Sequence, residues 1–313
     1  MSISFTKQKL KGRDNKPVKY KSVPYPQPKE NSGLPKNFFV CLCIGARQSG
    51  KTVSTVKLIK YYEKEGVYNQ RGERIPIKTI LISPTFESNP IFKSLKSLDI
   101  ENDVYSEYSD KLILKILEDI EKEKAEIEEY QEKLQMYNKF LKVRKLTELT
   151  PYETITLSIM DFKPPMKTVE YDNPPVYNLI LDDLVGTNTF KPVGASALNN
   201  LILKNRHKGI NIFILAQSAK QIPKIIRINA SLLLLYKYNS DKMLDDLFEA
   251  VSGVISLENF KILYEEAVSE KYNFLTVDCT KQHVEFKQNF DHLFVIKDLT
   301  KDKDKIEKIK KTV

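Results

Sequence analysis

The chain has 313 residues, 41% of them hydrophobic, with 50 Lys+Arg against 41 Asp+Glu and a net charge of +9. That apolar content supports a sizeable core and excludes a disordered chain, and the length suits one large α/β domain with appendages or two small domains. No apolar run approaches the roughly 18–20 residues of a membrane span, and the basic N-terminus carries no apolar stretch of the signal-peptide kind.

The basic balance is compatible with a polyanionic partner such as DNA, although a lysine-rich composition produces the same charge without that role. Cys41, Cys43 and Cys279 form no CxxC pair, and His207, His283 and His292 are scattered. The cysteines read as buried free thiols of a reducing compartment, and neither set reads as a metal site.

Residues 1–37 are rich in lysine and proline and read as an extended arm, which either touches DNA or a neighbouring subunit or is a loosely packed tail. Residues 37–45, NFFVCLCIG, are continuously apolar and predict a buried strand. A helix follows over 51–65, with Val53, Val56, Leu58, Ile59 and Tyr62 on its apolar side and Gly66 at its end. Residues 77–86 predict a second buried strand stopped at Pro84, and residues 89–98 a short helix.

Residues 109–146 contain neither Gly nor Pro. Ile113, Ile120, Ile127, Leu134 and Leu141 recur every seven residues, with Ile116, Tyr130 and Tyr137 in the companion positions and Glu123 as the exception. This is a heptad seam on a long charged helix inserted into the α/β core. It serves either a partner helix or neighbouring subunit, or the helix lies on its own domain.

Strands are further predicted over 174–186, 210–218, 230–238 and 273–280. Helices are predicted over 196–208 and within 241–269. Alternation of this kind gives a largely parallel α/β sheet. The expected layout is an arm (1–37), an α/β domain (38–285) carrying the insertion, and a charged tail (286–313).

Gly45-Ala46-Arg47-Gln48-Ser49-Gly50-Lys51-Thr52 fits the P-loop pattern G-x-x-x-x-G-K-[ST], between a strand and a helix. Its glycines let the backbone wrap phosphate, its amides form an anion nest, and the helix end adds positive potential. Lys51 is expected at the β- and γ-phosphates of ATP and Thr52 on Mg²⁺. The strand YNLILDD supplies the matching acids. Asp182 would hold the metal shell, and Asp183 would orient or deprotonate the attacking water.

If the strand 210–218 lies between the P-loop strand and the acid strand, Gln217 faces the γ-phosphate. There it positions the lytic water or senses phosphate loss; otherwise it is an ordinary strand-end amide. Arg206, in KNRHKG, either stabilises a helix C-terminus or acts as an arginine finger on a neighbour's ATP. Arg227 is the second candidate.

The order GARQSGKT, LILDD, NRHKGINIFILAQS and IPKIIRINAS resembles the poxvirus-type DNA-packaging ATPases of large nucleocytoplasmic DNA viruses and virophages, a branch of the FtsK–HerA superfamily. The resemblance covers about residues 37–280. It implies a P-loop NTPase fold of the additional-strand type and a ring, pentamer or hexamer. It also implies ATP-driven, sequence-independent movement of double-stranded DNA into a preformed capsid. The partners it implies are capsid or portal components, and the location is a viral factory in host cytoplasm.

The resemblance matches Lys51 and Thr52 to the nucleotide motif, Asp182 and Asp183 to the metal and catalytic acids, Gln217 to the sensor, and Arg206 to the trans-acting arginine. Many members carry Asp-Glu where this chain has Asp-Asp, and the shorter Asp183 reaches less far. A helicase or DNA-transfer motor is the alternative within the same enzyme class. A low-turnover, nucleotide-dependent assembly scaffold is the alternative outside it.

Overall fold

A computed structural model describes residues 25–184, 196–238, 241–248 and 252–295. Its elements in chain order begin with β1 (Val40–Ile44), α1 (Lys51–Glu65), β2 (Val67–Tyr68), β3 (Arg74–Ile75), β4 (Ile77–Ile82) and β5 (Val104–Tyr105). Then come α2 (Asp110–Phe140), α3 (Pro151–Ile159), β6 (Val176–Asp182), α4 (Ala197–Lys208) and β7 (Ile210–Ala216). The last are α5 (Lys224–Asn229), β8 (Leu232–Tyr236), α6 (Asp241–Phe248), α7 (Leu257–Ala267), β9 (Phe274–Asp278), β10 (Glu285–Gln288) and β11 (His292–Leu293).

Nine of the strands form one sheet in the order β11-β10-β9-β8-β1-β7-β6-β4-β5. From β8 to β5 every pairing is parallel, and β9, β10 and β11 add antiparallel strands at one edge. The molecule is therefore α/β with a mostly parallel sheet, and β7 lies between β1 and β6. Helices cover both faces of the central strands, which explains why β1, β6, β7 and β8 are buried along their whole length and predominantly apolar.

Alternation splits the core in two. Val40, Leu42 and Ile44 of β1 pack toward α2, α4, α5 and α7. Phe39, Cys41 and Cys43 face α1, whose Leu58, Ile59 and Tyr62 complete that layer. Val53 does not join it: at 53% exposure it stands on the far side of α1 from the Thr55–Leu58–Ile59–Tyr62 stripe.

The long insertion forms a helix of 31 residues, about 46 Å at 1.5 Å per residue. Ser109 caps it by accepting from the Leu112 amide. Its seam is used on its own domain. Ile113, Ile116 and Ile120 enter the core beside α4, Ile127 is buried, and Lys208 of α4 pairs with Glu121. Glu123, the residue that breaks the heptad, meets Lys78 at 3.3 Å and accepts from the Tyr177 hydroxyl at 2.9 Å. Beyond Ile127 the seam loosens, Leu141 is exposed, and α3 folds back against α2, its start fixed by a Thr150–Glu153 capping box.

Two boundaries differ from the sequence layout. Residues 25–37 are docked on the domain. Gln27 pairs with Tyr68, the Lys36 amide donates to Thr280, and the buried Tyr62 hydroxyl donates to the Pro35 carbonyl at 2.6 Å. The sheet also continues through β10 and β11 to Leu293, past residue 285. These strands are too short and too polar at one edge to have shown a clear alternation. The helix expected near residues 89–98 is a single 3-10 turn, Pro90–Ser94.

A buried polar ladder crosses the sheet at the N-terminal ends of the parallel strands. Asn211 donates to Asn178 at 3.0 Å and to Asn37 at 3.2 Å, and Asn178 donates to Thr79. Thr79 shares a 2.7 Å bond with Ser97, which donates to Glu63. Asn211, Asn178 and Thr79 are buried, so each depends on its neighbour.

Candidate nucleotide site

The C-terminal ends of β1, β7 and β6 meet at one point. The loop after β1 turns sharply into α1, with Gln48 at φ +61° and Gly50 at φ +101°, a left-handed geometry that glycine adopts without strain. Gly45 is required for a different reason. A Cβ there would stand 2.6 Å from Tyr236 Cβ and 2.7 Å from Ser49 Oγ. The Tyr236 hydroxyl donates to the Gly50 carbonyl and shares a second hydrogen bond with the Ser54 hydroxyl, tying β8 to the start of α1. Lys51 Nζ donates to the Gly45 and Ala46 carbonyls at 2.7 Å each.

A cavity of about 270 Å³ opens beside this loop and is lined by Arg47, Lys51, Thr52, Asp182, Asp183 and Gln217, among others. The structure thus brings together the loop, both acids and the strand-end amide. Asp182 is 6% exposed, and its Oδ2 accepts from the Ser83 hydroxyl at 3.0 Å. Burial raises the Asp182 carboxyl pKa, the Ser83 bond opposes that rise, and nearby Asp183 adds to it. Burial lowers the Lys51 ammonium pKa, while Asp182 and Asp183 pull it upward. Asp183 sits at φ +50°, which turns its carboxylate out of the β6 line, and Gln217 Nε2 donates to it at 3.2 Å.

These residues fit a phosphate and a hard dication. Ser49 Oγ is buried with no hydrogen-bond partner, beside a cradle that a Cβ at Gly45 would fill. One buried carboxylate with the hydroxyls of Thr52 and Ser83 is an oxygen donor set of the kind magnesium shares with phosphates. Among the described residues no group of three or more His, Cys, Asp or Glu side chains could hold a metal by itself.

Arg206 does not reach this cleft in its own chain. It is exposed in the last turn of α4, where β7 begins, whereas Gln217 follows the other end of β7. Seven residues of strand, roughly 23 Å, separate the two ends. Arg227 is half-buried near the C-terminus of α5, a helix whose end leads into β8 at that same distant edge. Residues 1–24, 185–195 and 296–313 lie outside the described residues.

The sequence reading did not include Ser83, Thr85 or Asn89. Their signal was the polar end of a buried parallel strand, Ile82-Ser83-Pro84-Thr85, next to the acid strand.

No protein-family model matches the sequence, and comparison with curated proteins finds no match. Among solved structures, similarity is found to the genome packaging NTPase B204 of Sulfolobus turreted icosahedral virus 2, in complex with AMP. The TM-score is 0.46 and the identity 13%, over 82% of this chain and 98% of that one. EssC (ATPases 2 and 3) of Geobacillus thermodenitrificans gives a TM-score of 0.44 at 13% identity, over 97% of this chain and 52% of that one. The N-terminal domain of zonular occludens toxin from Neisseria meningitidis gives 0.29 at 16%, over 66% and 78%. No helix among the described residues is long and apolar enough to cross a membrane.

Proposed function

We propose that the chain is a magnesium-dependent P-loop ATPase that works as a ring motor on double-stranded DNA, packaging a viral genome. The observation that carries the ATPase reading is the convergence of Lys51, Thr52, Asp182, Asp183 and Gln217 on one 270 Å³ cleft. The DNA-packaging reading is supported by the order of motifs and by the net charge of +9.

The loop amides and Lys51 bind the triphosphate, and Thr52 and Asp182 would hold Mg²⁺. When bound, the ion neutralises charge on the β- and γ-phosphate oxygens. Asp183 accepts the proton of the attacking water, and its bond to Gln217 fixes the carboxylate in position for that step. Gln217 then links the γ-phosphate site to β7 and, through it, to the far edge of the sheet.

Arg206 supplies the remaining positive charge to a neighbour's site. Its distance from its own cleft is what a trans-acting residue requires, and the oligomer follows from that role. Contacts to DNA are to phosphates, so they are independent of sequence and weaken with salt.

The test is steady-state ATP hydrolysis with and without linear double-stranded DNA, beside Lys51→Ala and Arg206→Ala. DNA should stimulate turnover, and each substitution should lower it by ~10³-fold or more. Mixing the two inactive variants should restore part of the activity. Turnover indifferent to DNA in assembled protein would overturn the motor reading in favour of a nucleotide-dependent scaffold. Unchanged turnover in Arg206→Ala would move the trans role to Arg227. Strand separation in an unwinding assay would favour a helicase.

A further inference from the structure

Two exposed residues near the P-loop are unusual for a surface. Val53 is apolar and 53% exposed on α1, and Tyr272 is 58% exposed with its backbone held at φ +71°. Left-handed backbone at an aromatic residue is costly and persists where the surroundings impose it. Both residues line a second cavity of about 760 Å³, together with Lys57 and, from the β9–β10 side, Asn273, Asn289 and Phe290. This cavity shares Gln48, Lys51, Thr52 and Asn89 with the catalytic cleft, so the two hollows meet across the phosphate loop.

Its far wall is rigid. Phe290 packs edge-on against Phe274 at 5.1 Å and against Tyr61 at 6.0 Å. Asn289 donates to Asn273 at 3.0 Å and accepts from the Phe274 amide at 3.2 Å. The Tyr272 ring approaches the Gly50 position and carries the Lys271 ammonium 4.8 Å from its centroid.

We propose that this cavity is the nucleobase and ribose subsite, and that it takes purine nucleoside triphosphates by stacking on Tyr272 and packing on Val53. The proposal rests on reading the adjoining loop as a triphosphate grip. The polar groups of the wall explain the expected selectivity. The Asn289 amide is already engaged at both its oxygen and its nitrogen, and Asn273 is engaged with Asn289 and Glu270. On this far wall, away from the phosphate loop, few fixed donors or acceptors remain to read the exocyclic groups of a base. The site therefore selects by ring size and stacking strength: purines over pyrimidines, with adenine and guanine nearly alike.

The experiment is calorimetric titration of the full chain, with magnesium, using ATP, GTP, CTP and inorganic tripolyphosphate. Wild type is compared with Lys51→Ala, Tyr272→Ala and Tyr272→Phe. ATP and GTP should bind within about 3-fold of each other, and CTP should bind at least ~5-fold more weakly. Tyr272→Ala should weaken both purine nucleotides by roughly 5- to 100-fold, the range of a lost base–aromatic stack. Tyr272→Phe should retain affinity, and tripolyphosphate should bind wild type and Tyr272→Ala equally.

Wild-type ATP affinity in Tyr272→Ala would overturn the base subsite while leaving the phosphate grip standing. So would tripolyphosphate binding as tightly as ATP, or ATP preferred over GTP by 100-fold. If neither ATP nor tripolyphosphate binds in a Lys51-dependent way, the grip itself fails and this subsite fails with it.

Discussion

Gly45→Ala tests how the phosphate loop is held. The added Cβ would stand 2.6 Å from Tyr236 Cβ and 3.1 Å from Tyr236 Cγ. Carbon pairs are best separated by roughly 3.5–4.0 Å, so the overlap is about 1 Å. Tyr236 has little room to retreat: it is 1% exposed, its ring lies 4.9 Å from Phe274, and its hydroxyl is bonded to Gly50 and Ser54. The strands behind the contact are locked in register, Ile44 against Leu235.

The loop is therefore what moves, and overpacking of this kind costs about 1–3 kcal/mol. The urea midpoint should fall by about 1 M at unchanged slope. The dissociation constant for ATP should rise by at least ~10-fold, since the displaced segment carries the loop amides. Gly72→Ala is the control. Gly72 also has positive φ, +76°, but nothing lies within 4 Å of its would-be Cβ, so it should lose about 1 kcal/mol and no affinity. Gly45→Ala protein that binds ATP as wild type does would refute the argument.

Other expectations follow from the same contacts. Glu123→Leu would regularise the heptad yet should destabilise by about 1–3 kcal/mol, because the Tyr177 hydroxyl and Lys78 lose their acceptor. Glu123→Gln should cost less, and thermal unfolding of the pair decides. Asp103 is pushed up to about 6, chiefly by burial, against the opposing pull of Lys78. Its folded pKa exceeds the unfolded value of about 3.9, so the folded state binds more protons between these pH values and stability falls as pH rises through roughly 4 to 6. Asp103→Asn should flatten that fall in urea midpoints taken across the window; an unaltered slope would show that another group titrates. Burial raises the Cys43 thiol to about 12 and the half-buried Cys279 thiol to about 11. A thiol reagent at neutral pH should modify Cys279 slowly and the pair Cys41 and Cys43 only on unfolding, so fast labelling of that pair in native protein would contradict the packing.

The sheet was readable because strands buried on both faces are written as predominantly apolar runs, as in VCLCI, VYNLILD and INIFILA, broken only by Asn178, Asp182 and Asn211. The P-loop was readable because its glycines, lysine and threonine are contiguous. Convergence of Asp183 and Gln217 was legible only as a condition, since it depended on which strand lies beside β1. What the sequence could not separate is a seam meant for a partner from one meant for its own domain: α2 carries the same seven-residue period either way. Val53 misled for a related reason, since an apolar residue beside a helical stripe can line an open cavity as well as a core. Tyr272, Asn273 and Asn289 gave no signal at all, because they are gathered by the β9–β10 hairpin and not by spacing along the chain.

The amide ladder beneath the sheet has a consequence for the order in which the molecule is made. Asn37 leaves the ribosome before every strand of the sheet, yet its partner Asn211 arrives 174 residues later. Until β7 is synthesised and seated, the lower end of β6 holds an amide facing an incomplete apolar layer. Such distant pairings close slowly. The segment before β1 thus lacks its Asn211 partner until β7 has been made and seated, at the end of the sheet opposite the nucleotide loop.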